Sequence, residues 1–176
     1  HIPAIVEAWQ LGTTTGTALT QVLFGDYNPS GKLTMSFPRS VGQIPLYYNH
    51  FSTGRPGPKS EVFWSHYTDE SNEALYPFGY GLSYTQFAYS NLQTTVAADG
   101  TILANVQVTN SGKYAGEEVV QLYIRDKVAS LVRPVQELKG FKKINLKPGE
   151  STQVAFTLTA AELGFYTDKG AFVVES

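Results

Sequence analysis

The sequence predicts an α+β chain: a strand-helix-strand unit at the start, an aromatic-glycine linker, and an antiparallel β-sandwich over the second half. Three observations carry this. From about Thr15 the apolar residues Ala18, Leu19, Val22 and Leu23 fall on one helical face, and Gly25 stands where a helix stops. From Phe87 onward apolar and polar residues alternate, broken at regular intervals by turn residues. Between these regions, Leu75 to Phe87 crowds Tyr76, Phe78, Tyr80, Tyr84 and Phe87 around Gly79 and Gly81, the chemistry of a tightly packed crossing.

Composition narrows the classes of function. A chain of 176 residues, 42% hydrophobic and 16% charged, can bury a sizeable core and fits one domain or two small pieces. The net charge of −2, with Lys and Arg scattered singly, offers no basic stripe, so neither nucleic acid nor an anionic membrane is an expected partner. Without cysteine there is no disulfide framework or thiolate site, and His1, His50 and His66 are too dispersed for a metal cluster. No metal and no cofactor are expected. No apolar run approaches the roughly 20 residues that span a bilayer. The chain begins on His1 inside what reads as a strand, so further residues are expected upstream.

In the first piece, Ile2 to Trp9 reads as a buried strand and Gln10 to Gly16 as a loop. That loop lacks both the Lys-Ser/Thr ending of a phosphate loop and the spacing of a dinucleotide fingerprint, so no nucleotide site is expected. After the helix, Asp26 to Gly31 is a turn, and Lys32 to Phe37 alternates as a strand closed by Pro38. A parallel sheet needs both faces covered, so this unit is expected to lean on a partner it does not contain.

His50 to Glu73 reads as a long surface loop, with Gly54-Arg55-Pro56-Gly57-Pro58 outside any regular structure. It carries the densest mix of polar and aromatic side chains. In one reading Trp64 or Tyr67 lines a sugar subsite while Arg55 or Asp69 bonds hydroxyls, because pyranose faces are apolar and their edges polar. In the other, these residues pin the loop to neighbouring domains or to a second copy in a homodimer.

The second half divides into Phe87 to Leu92, Ile102 to Thr109, Glu117 to Ile124, Leu138 to Leu146 and Ser151 to Leu158, with turns at Asn110-Ser111-Gly112 and Lys147 to Glu150. Thr159 to Leu163 reads as a helical turn, before Phe165-Tyr166 and Lys169 to Glu175. Arg133 and Glu137 suit an architectural ion pair. Glu117 and Glu118 read as a solvated strand start.

A paired-carboxylate hydrolysis with a carboxylate nucleophile needs two carboxyl groups roughly 5–5.5 Å apart, and the candidates are poor. Asp26 sits in a turn, Glu7 on the presumed buried strand, and Asp69, Glu70 and Glu73 in the loop. Serine-nucleophile chemistry lacks a Gly-x-Ser-x-Gly elbow.

Several motifs stand in one order: VLFGDYNPSGKLTMSFPRSVGQIPLYYNH, LYPFGYGLSYTQF, VVQLY, RPVQELKGF and LKPGE. From about Ala4 to Glu175 the chain resembles the C-terminal third of a family 3 glycoside hydrolase of the β-glucosidase and β-xylosidase type. The resemblance implies that residues 1–49 are the C-terminal part of an α/β sandwich domain and 50–85 a loop and linker. It makes 86–176 a fibronectin type III-like sandwich lacking its last strand. The family's Gly-Gln-Glu-Gly-Gly type turn is here Gly12-Thr13-Thr14-Thr15-Gly16, which keeps the turn but not its usual polar side chains. In the family the nucleophilic Asp lies on an N-terminal barrel and the acid/base Glu upstream in the sandwich domain; no position here matches either. The resemblance therefore implies a catalytically silent region, with no catalytic residue of its own. The parent would be a periplasmic or extracellular β-glycosidase with the upstream domains and a β-linked oligosaccharide as partners. The competing reading is a non-catalytic carbohydrate-binding or adhesion module.

Overall fold

The computed structural model describes residues 2–55, 57 and 60–175. Helix α1 spans Thr15–Phe24, and Gly25 ends it in the left-handed conformation (φ 85°), its N–H bonding to the carbonyl of Val22. The expected apolar face buries no residue fully: Leu19 and Val22 are half-buried, and Leu23 and Phe24 are exposed.

The expected strand at Ile2 to Trp9 does not form. The segment is irregular, and Ile2, Ile5, Val6 and Trp9 are exposed. A strand inside a parallel sheet draws its stability from neighbours on both sides, and none of the described residues supplies them. The alternating stretch Lys32 to Phe37 also joins no parallel sheet. It is extended against the linker instead: Phe37 bridges Tyr76, Leu33 N–H bonds to Tyr80 O, and Gly79 N–H to Leu33 O.

The second half is all antiparallel. Strands β1 (Phe87–Val96), β2 (Ile102–Asn110), β3 (Gly116–Ile124), β4 (Glu137–Leu146) and β5 (Ser151–Leu158) form one sheet of order β1-β2-β5 and a second of β3-β4. Period-2 alternation places Val108, Val120, Leu146, Val154 and Phe156 between the two sheets, with Phe87, Val106, Leu122 and Ile144 packed around them. Helix α2 (Ala160–Leu163) is closed by a capping box, in which Glu162 accepts from the Thr159 N–H at 2.7 Å and Thr159 Oγ1 from Ala161 N–H. The hairpin β6 (Phe165–Tyr166) and β7 (Phe172–Val173) follows. Lys169 to Glu175 thus contributes a two-residue strand rather than a full-length one.

At the sandwich's top the fully buried Asn110 ties three segments together: the linker, its own turn and β4. Its amide donates to Leu146 O (2.9 Å) and Tyr114 O (2.8 Å), while its Oδ1 accepts from Thr85 Oγ1 (2.7 Å) and Gly112 N–H (3.1 Å). Every polar atom of this side chain is thus engaged where water does not reach.

The linker packs rather than dangles. Phe78 stacks on Tyr48 (ring centroids 4.2 Å), and both meet Tyr123 of β3 edge-on. Gln121 donates to Gly79 O at 3.0 Å. Gly79 has φ +79°, and a Cβ there would fall within contact distance of Gln121 Oε1 and 2.6 Å from the Tyr123 hydroxyl. Gly79→Ala is therefore expected to destabilise the chain by ~2–4 kcal/mol in urea unfolding, combining left-handed strain with a clash. Gly100→Ala, at φ +82° with open space around it, carries the strain alone and should cost ~1 kcal/mol.

Candidate functional site

The loop that carries Arg55, Trp64, Tyr67 and Asp69 is closed at its base by Gln43, which is 2% exposed. Gln43 Nε2 donates to Ser71 O (2.7 Å) and Glu73 O (3.4 Å), and its Oε1 accepts from the Arg39 N–H. The Arg39 guanidinium adds a bond from Nε to Glu73 O at 3.0 Å. A short 3-10 turn, Val41–Gln43, delivers Gln43 to this position.

Within the loop, Ser65 N–H bonds to Arg55 O at 2.9 Å, and the Trp64 indole lies against Gly57. Asn72 crosslinks the far end, accepting from Tyr67 N–H and donating to Ser65 O. The Tyr67 hydroxyl reaches Gly42 O at 3.4 Å. Each of the four candidate residues is exposed. Of expected residues Pro56 and Pro58 lie outside the described set.

Neither of two clefts among the described residues is lined by any of the four candidates. One, of about 530 Å³, lies where the two sheets part between β1 and β3, with Leu92, Val106, Leu122 and Phe156 among its walls. The other, of about 440 Å³, lies beneath the 125–135 loop. Its Arg133 is committed elsewhere, bonded to Glu137 at 2.9 Å and stacked over Phe165 at 4.5 Å, which matches the expected architectural pair.

The carboxylates that sequence reasoning set aside prove to be the most engaged. Residues 117 and 118 point to opposite faces of β3, so each meets a different set of partners. Glu118 is 9% exposed, with Lys32 Nζ 3.0 Å from Oε2 and the Tyr89 hydroxyl 2.9 Å from Oε1. Glu117 Oε2 accepts from Tyr27 OH (2.7 Å), Ser30 Oγ (3.1 Å) and Lys143 Nζ (2.6 Å). They are not a solvated strand start, and the correction has a physical basis. Alternation along a strand shows which face a side chain takes, but not that residues 27 to 32 fold back onto that face.

Lys143 and then Tyr27 hold the Glu117 carboxyl below its ordinary range, and Glu117 in turn raises Lys143. Burial, reinforced by the Glu118 carboxylate, pushes the Tyr89 phenol well above its usual range. These groups are held in one charge state, the reverse of an acid/base poised near neutrality. Glu7 is exposed and bonds Trp9 N–H at 2.9 Å, and Asp26 and Asp69 are exposed. Among the described residues no cluster of three His, Cys, Asp or Glu side chains is placed to hold a metal.

Residues 1–84 match the family model of the glycosyl hydrolase family 3 C-terminal domain, and residues 118–176 that of the fibronectin type III-like domain. The chain is 52% identical to a periplasmic beta-glucosidase of Salmonella typhimurium, over 98% of this chain and 23% of that protein. It is 47% identical to a beta-xylosidase of Formosa agariphila, over 99% and 24%. Among solved structures, a beta-glucosidase from Listeria innocua in complex with gluconolactone superposes with a TM-score of 0.88 at 45% identity, covering 95% of this chain and 24% of that one. The chain thus spans about a quarter of the length of the curated relatives it matches.

Because the Glu117 carboxyl is depressed below the value it has in the unfolded chain, its stabilising contribution is complete above that value, ordinarily about 4.5. It is lost as pH falls through the lower folded-state value. Urea midpoints measured from pH 7 down to pH 3 should therefore fall less steeply for Glu117→Gln than for the native chain, the two curves converging at the acid end.

Proposed function

Since the chain belongs to glycosyl hydrolase family 3, we propose that it is the C-terminal, bracing region of a retaining β-glycosidase that cleaves β-glucosides or β-xylosides. One observation carries this reading. The carboxylates of Glu118 and Glu117 are paired with Lys32 and Lys143, while Ile2, Ile5, Val6, Trp9, Leu23 and Phe24 present exposed apolar surface. A surface of that kind suits contact with further protein, and its position on the first 24 residues suits the family's upstream domains.

The parent then carries the nucleophile and the acid/base outside this chain. Residues 1–49 complete the parent's α/β sandwich domain, 50–85 form the loop and linker, and 86–176 the fibronectin type III-like domain. The similarity to a periplasmic beta-glucosidase favours a periplasmic or extracellular setting. Arg55, Trp64, Tyr67 and Asp69 are exposed on a loop whose base is fixed by Gln43, so the loop is well placed to border a sugar subsite formed with the parent's other domains.

The purified chain is expected to give no turnover of aryl β-glucoside or aryl β-xyloside above a heat-killed control, whereas the intact parent turns over at least one. Turnover by the chain alone contradicts the bracing reading. Binding of plant polysaccharide by residues 86–176 in affinity electrophoresis would favour a carbohydrate-binding module. In the parent, Trp64→Ala should raise KM about tenfold with little change in kcat if the loop borders the subsite, a loss of roughly 1.4 kcal/mol of binding. An unchanged KM assigns the loop to domain contact instead.

A further inference from the structure

The seam between the first piece and the sandwich has a polar half that neither domain's core requires. Glu117 and Glu118 leave β3 on opposite faces and together engage Tyr27, Ser30 and Lys32, which all lie on the turn after α1. Lys32 also donates to Gly81 O at 2.9 Å, so the same ammonium holds the linker. Asn28 extends the row, donating to Ala115 O (2.9 Å) and accepting from Tyr84 N–H (2.8 Å). The sandwich core, by contrast, is built from Val108, Val120, Leu146, Val154 and Phe156 and uses none of these groups.

We propose that Glu117 and Glu118 form a two-sided latch that couples residues 27–37 to the sandwich, so that the two unfold together while the latch is closed and separately once it is removed. Chemistry supports a latch over simple packing. The Lys32 and Glu118 side chains are 16% and 12% exposed, and a partly desolvated ion pair is sensitive to geometry: it holds one docking angle and penalises others. Both oxygens of Glu118 are used, one by the first piece and one by β1, so this carboxylate joins three elements at a point. The latch depends on the seam's geometry and not on which sugar the parent cleaves.

Two probes separate the sides. The chain has two tryptophans, Trp9 and Trp64, both before the sandwich. In a Trp64→Phe background Trp9 is the sole indole, with its ring 6.0 Å from that of Phe37, so its fluorescence follows the first piece. Far-UV circular dichroism follows the sandwich. In urea the two transitions of the full chain should coincide. In Lys32→Ala/Glu118→Ala, which removes both charges, leaves neither unpaired and puts no apolar bridge in their place, the fluorescence midpoint should separate from the dichroism midpoint and fall below it. Lys32→Arg should keep them together. The proposal is overturned if the transitions are already apart in the native chain, if they stay together in the double variant, or if Lys32→Arg separates them as far. Should the double variant not fold, Glu117→Gln is read the same way: earlier loss of the fluorescence signal supports the latch, and coincidence overturns it.

Discussion

The ion pair between Lys32 and Glu118 is the constraint on which the arrangement of this chain rests. Lys32 belongs to a segment that forms no regular element of its own. Glu118 belongs to a strand whose alternate residues build the sandwich core. Their contact at 3.0 Å sets the register between the two, and the rest of the seam follows from it. Once the turn at 27–32 is against β3, Asn28 reaches Ala115, Gly81 reaches the Lys32 ammonium, and Gly79 comes under Gln121 and Tyr123. Burying two opposite charges adds little net stability, but leaving either one alone is strongly unfavourable, so the pair acts on geometry more than on energy.

That geometry has a consequence for function. A region fixed to its sandwich in this manner can transmit position to whatever packs on its opposite side. Residues 2–24 expose Ile2, Ile5, Val6, Trp9, Leu23 and Phe24, and no residue of α1 is buried. The proposed bracing role accounts for both features, the hydrogen-bonded seam and the exposed apolar side chains. It also accounts for the charge pattern, because acids that are locked in hydrogen bonds to Lys and Tyr serve structure rather than proton transfer.

Much of this was legible in the sequence, for reasons that vary along the chain. Ser151–Leu158 alternates throughout and Ile102–Asn110 over most of its length, and alternation is a local property that survives without knowledge of partners. The helix ending at Gly25 and the capping box at Thr159 and Glu162 are likewise encoded within a few residues. Ile2 to Trp9 misled because an apolar β-branched run specifies burial without saying what buries it. Glu117 and Glu118 misled for the complementary reason. Their partners among residues 27–32 lie 86 to 90 residues away, and no spacing rule links a Tyr or Lys there to a strand so distant. Of the loop candidates, the sequence located Arg55, Trp64, Tyr67 and Asp69 on an exposed segment, but Gln43, which fixes that segment, carries no signal beyond an ordinary polar residue in a turn.

Amide hydrogen exchange on the intact chain tests the central claim, that the seam makes the turn, the linker and the sandwich one body. The account predicts that the N–H groups of Leu33, Phe37, Gly79 and Tyr84, each hydrogen-bonded across the seam or the linker, exchange with protection comparable to that of Val108 and Val120, while α1 exchanges rapidly. Exchange of Leu33, Phe37, Gly79 and Tyr84 as fast as α1, beside a protected sandwich, would contradict it.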